Sequence, residues 1–70
     1  MQMISIKPVG DRSWMVEFSG VQNPTLFMTG ALAETAARRL AETLANAGRH
    51  SQLTIYLRDG SLGARFIATP

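Results

Sequence analysis

The chain has no cysteine and a single histidine. Disulfides are therefore excluded, and with them the thiolate zinc sites that hold many small domains together. His50 cannot hold a metal without several carboxylates, and only five acidic residues are present. No metal and no cofactor is expected. Long apolar runs are missing too, and none approaches the ~20 residues of a membrane span. The N-terminal MQMISIKPVG lacks the basic head and long apolar stretch of a secretory signal, so a cytoplasmic location with no membrane partner is expected. Seven basic residues against five acidic ones leave a net charge of +2 with no polybasic run, which gives little pull toward anionic partners.

Seventy residues make one domain, 1–70, with one small core. A chain of this size buries only roughly 60% of the surface its unfolded form exposes. Natural domains this small often add a disulfide, a metal or a partner subunit. With the first two excluded, a partner subunit remains, and self-association is expected before any surface is considered.

Residues 3–8 alternate, with Ile4 and Ile6 on one side and Met3, Ser5 and Lys7 on the other. Pro8 lacks a backbone donor, which places it at a strand edge or end. Ser13–Ser19 alternates again, with Trp14, Val16 and Phe18 opposite Met15 and Glu17. A hairpin that unites the two apolar faces requires an odd-length loop around Gly10-Asp11, because a two-residue turn would set Ile4 against Glu17. The GVQNP stretch at 20–24 is turn chemistry, and Leu26–Met28 suffices for a short third strand.

The 30–48 stretch, GALAETAARRLAETLANAG, is the one segment with sustained helical period. Thr29 is placed to cap its start, and Gly48 to end it in a left-handed conformation. Ala33, Ala36, Ala37, Leu40, Leu44 and Ala47 share one sector. Glu34, Arg38 and Glu42 lie opposite at i, i+4 and i+8, a spacing that lets their charges cancel. Gln52–Arg58 then alternates with Leu53, Ile55 and Leu57 inward. Asp59-Gly60 predicts a two-residue type I′ turn, which pairs Leu57 with Leu62, Ile55 with Ala64 and Leu53 with Phe66.

The reading is α+β: a two-layer β-β-(β)-α-β-β domain, with an antiparallel sheet covered on one face by a single helix. No nucleophile stands with a base and an orienting partner, and no phosphate loop or metal spacing appears, so a non-enzymatic role is expected. The helix exterior carries no surplus of positive charge for a nucleic-acid groove. Attention therefore falls on the open sheet face, where Met15, Thr54, Tyr56, Arg58, Arg65 and Ile67 are the candidate interaction residues. That face, or an edge strand, suits a homo-oligomer or another protein partner. The alternative is single-stranded nucleic acid, with Tyr56 stacking a base and Arg58 and Arg65 holding phosphates.

Three segments also carry a resemblance: Trp14-Met15-Val16, the helical Thr35-Ala36-Ala37-Arg38-Arg39-Leu40-Ala41, and Leu53-Thr54-Ile55-Tyr56 leading into Asp59-Gly60-Ser61-Leu62. Together they resemble a family of very small bacterial proteins known only as a domain of unknown function. The chain departs from it in a longer loop at 21–24 and a helix poorer in lysine. The resemblance implies a compact β-β-α-β-β domain and brings no activity or binding residue with it.

Overall fold

The computed structural model describes residues 1–70. Strands β1 (Gln2–Val9), β2 (Ser13–Phe18) and β3 (Thr25–Phe27) precede helix α1 (Gly30–Asn46), which is followed by β4 (Ser51–Tyr56) and β5 (Leu62–Ala68). All strands join one five-stranded sheet in the order β3-β2-β1-β4-β5. The expected sheet was wholly antiparallel, and this is corrected: β1 and β4 run parallel. Three alternating strands followed by a helix that runs back deliver β4 in the direction of β1, and a helical crossover is the usual way to join parallel strands.

That topology makes β1 the central strand. Ile4 stands between Phe18 on β2 and Leu53 on β4, and Ile6 between Val16 and Ile55. Both isoleucines are fully buried. The loop between β1 and β2 is the odd-length Gly10-Asp11-Arg12, as side-chain parity requires. Pairing with β4 stops at Ile6, so Pro8 stands where β1 has a neighbour on one side only.

Thr29 caps α1, its hydroxyl accepting from the Leu32 amide at 3.1 Å. At the other end Arg49 N–H donates to Leu44 C=O and Gly48 N–H to Ala45 C=O, with Gly48 at φ +78. This is the paired closure that a glycine beyond the last turn permits. The buried stripe is Ala33, Ala37 and Ala41, spaced four apart. Small side chains let the helix lie close over Ile4, Ile6, Val16 and Leu53, while Trp14, Phe18, Phe27, Leu40 and Leu44 close the core around them. Ala41 replaces Ala47 in the expected stripe, since Ala47 is already the exposed C-cap.

The second hairpin corrects the expected type I′ turn. Asp59 has no positive φ; only Gly60 does, at +87. Gly60 N–H donates to Leu57 C=O, and Leu57 N–H to Ser61 C=O. Leu57 to Gly60 thus form a type I turn with glycine in the left-handed position, leaving Leu57 opposite Ser61. The register then reads Tyr56 with Leu62 but Ile55 with Ala64, so Gly63 is an extra residue in the ladder. The pairs Ile55–Ala64 and Leu53–Phe66 come out as expected because the bulge cancels the one-residue offset of the turn.

Candidate interaction surface

α1 covers one face of the sheet incompletely. A helix with its side chains is about 10–12 Å across. Five strands at about 4.8 Å spacing span about 19 Å. Centred over β1, β2 and β4, the helix leaves β5 largely open. Phe66 therefore points to the helix side yet keeps 42% of its surface exposed, a correction to its expected place beneath the helix. Beside it runs a groove of about 400 Å³ between α1 and β5, floored by Ala41, Leu53, Phe66 and Ala68 and rimmed by Arg38 and Glu42. The Arg38 guanidinium lies over the Phe66 ring at 4.8 Å and is held by Glu34 at 3.0 Å. Of the expected Glu34–Arg38–Glu42 ladder, only that first rung is an ion pair.

The uncovered face is organised in rows across the strands. Leu26, Met15, Lys7, Tyr56 and Leu62 form one row; Glu17, Ser5, Thr54 and Arg65 form the next; Met3, Gln52 and Ile67 form the third. Lys7 ties the face together. Its ammonium sits 3.0 Å from Glu17 Oε1 and 5.6 Å from the Tyr56 ring centroid, spanning β2 to β4. A shallow hollow of about 310 Å³ opens where Lys7, Pro8, Tyr56 and Gly60 meet.

Five of the six candidate residues lie on this face. Met15 and Tyr56 are half-buried, Arg65 is exposed, and Ile67 is 54% exposed. Thr54 is only 3% exposed, flanked by Ser5 and Arg65, and its hydroxyl meets Gln52 Nε2 at 3.5 Å. Arg58 lies elsewhere. The turn takes it off the strand, where it donates to Gly10 C=O at 3.0 Å and stacks over the Trp14 ring at 4.8 Å. It ties the two hairpin turns together. Phe66 joins the surface without having been signalled, because alternation tells which face a side chain takes and says nothing of how far a helix reaches. Leu62, expected inward opposite Leu57, is corrected to the open face, where the turn offset sets it opposite Tyr56.

β5 thus carries apolar side chains exposed on both faces: Leu62 and Ile67 on the open side, Phe66 on the helix side. It is also an edge strand seven residues long.

His50 lies in a third hollow of about 320 Å³ with Met1, Gln2, Gly48 and Arg49, which holds no carboxylate or nucleophile to pair with an imidazole. No three His, Cys, Asp or Glu side chains gather in a group able to hold a metal. No helix is long and apolar enough to cross a membrane. Comparison with protein-family models, with curated proteins and with solved structures finds no match.

Proposed function

We propose that this chain is a non-enzymatic interaction module that self-associates through the sheet surface α1 leaves uncovered. The observation that carries the reading is β5, an edge strand whose exposed Leu62, Phe66 and Ile67 lie on both of its faces. Monomeric proteins usually blunt such an edge with charge, proline or a covering loop. A core of seven buried hydrophobic residues, three of them alanine, also gains most from a second subunit. Tyr56 favours protein contact over base stacking, since it is half-buried and Lys7 already occupies one side of its ring.

Light scattering tests the reading. The mass at micromolar concentration is expected well above the 7.6 kDa of one chain. Ile67→Lys and Phe66→Glu are expected to lower it, since each adds charge to the exposed edge strand. A mass of one chain at every concentration overturns the proposal.

A further inference from the structure

We infer that the partner of β5 is the β5 of a second copy, paired antiparallel about a two-fold axis at Phe66, so that two five-stranded sheets join into one. This rests on the self-association proposed above and adds to it the element, the direction and the register.

Every second residue of an edge strand turns its N–H and C=O away from the sheet, and another strand is what satisfies such a row. β5 has seven residues with no proline and one charge, Arg65. The opposite edge, β3, has three. A head-to-tail contact of β5 with β3 would leave most of the longer edge unpaired and would propagate into an open array. A two-fold contact matches two edges of equal length and closes.

Register follows from the side chains. A two-fold axis perpendicular to the sheet keeps both helices on one face and opposes residues of the same parity. Centred on Phe66, it sets Phe66 against its own copy, Ala64 against Ala68 and Arg65 against Ile67. Small residues meet small ones, the guanidinium lies along an aliphatic side chain, and all five residues from Ala64 to Ala68 are paired. Centring on Arg65 would oppose two guanidiniums. Centring on Ala64 would run into the bulge at Gly63, and centring on Ile67 would carry the pairing past Ala68, where the strand ends. Only the Phe66 axis also brings together, on the helix side, the two Phe66 rings, each left partly exposed beside the Arg38 guanidinium that lies over it.

Because the chain has no cysteine, introduced ones report the register without background. Phe66→Cys is expected to give a disulfide-linked dimer under mild oxidation, since directly opposed residues lie within bridging distance. Ala64→Cys and Ala68→Cys are expected to stay uncoupled when oxidised singly, their own copies being about 14 Å apart. Mixed together, they are expected to cross-link. The mixture of Arg65→Cys with Ile67→Cys repeats the test with Phe66 intact. A dimer by light scattering in which neither mixture cross-links overturns this register and leaves the proposed self-association standing. A mass of one chain throughout overturns both.

Discussion

Gly30 lies against the indole of Trp14, so close that a Cβ at residue 30 would stand 3.2 Å from Cε2 and 3.4 Å from Cζ2. The first residue of the helix is thereby seated on the first aromatic of β2. Gly30→Ala trades a shift of the ring by a few tenths of an ångström against alanine's advantage in helix propensity, which is roughly 1 kcal/mol in a helix interior and smaller at this first position. Little net change in stability is expected. Gly30→Val has a smaller offset and a larger side chain, and should cost about 1–3 kcal/mol. Urea titration followed by the fluorescence of Trp14 reads both, and an undiminished Gly30→Val would refute the contact as a constraint.

Gly63 is fixed by its neighbours. A Cβ on it would stand 2.8 Å from Leu57 Cδ2 and 3.2 Å from the Ile55 carbonyl oxygen. Gly63→Ala is expected to lose no more than about 1 kcal/mol, because the half-exposed Leu57 end can swing aside while the Ile55 oxygen must give by a few tenths of an ångström. In a Leu57→Ala background part of that loss should return, because the leucine end can be removed and the backbone oxygen cannot. Full recovery would assign the whole cost to Leu57.

Ser51 is completely buried, and its hydroxyl has no hydrogen-bond partner. It stands beside Gln2 on β1 and Ala68 on β5. An unpaired buried hydroxyl costs about 1–3 kcal/mol. Ser51→Ala should therefore stabilise the fold by about 1 kcal/mol, read as a higher urea midpoint at unchanged slope. A lower midpoint would mean the hydroxyl is paired after all.

Asp59 accepts from the Ser61 hydroxyl and from the Ser61 amide at 2.9 Å. These bonds, the hydroxyl first, hold its carboxyl below its ordinary value of 3.8. A depressed folded pKa adds stability above the unfolded value, and that contribution fades as pH falls through the folded one. Asp59→Asn should accordingly be less stable than the parent at neutral pH, and the difference should shrink in acid below about pH 4. Melting curves from pH 2 to pH 7 check it, and a gap that widens in acid would reverse the sign.

The helix was legible because Thr29 and Gly48 mark its ends and the alanines recur four apart. Strand order was not. Alternation assigns Ile4 and Ile6 to the core face, but it carries no information on which edge of the β1–β2 hairpin receives β4. The second hairpin shows the same limit more finely. The pairs Ile55–Ala64 and Leu53–Phe66 hold although the turn differs, since a bulge and a turn offset of one residue each cancel, while Leu57–Leu62, on the turn side of the bulge, does not form. Of the candidate surface, Met15, Thr54, Tyr56, Arg65 and Ile67 followed from parity alone. Arg58 did not, because turn geometry decides where it points, and Phe66 did not, because its exposure is set by the breadth of a helix against that of a sheet.

The parallel pair has a consequence for how the chain comes together in time. Ile4 meets Leu53 across 49 positions of sequence. The central strand is thus the first of the five to be synthesised and gains its second neighbour only after the helix. Contacts of such separation slow folding, because the intervening loop must close before they form. Until β4 emerges, the flank of β1 that will receive it stays open, and a nascent chain halted in the helix would present that edge to its neighbours on a polysome.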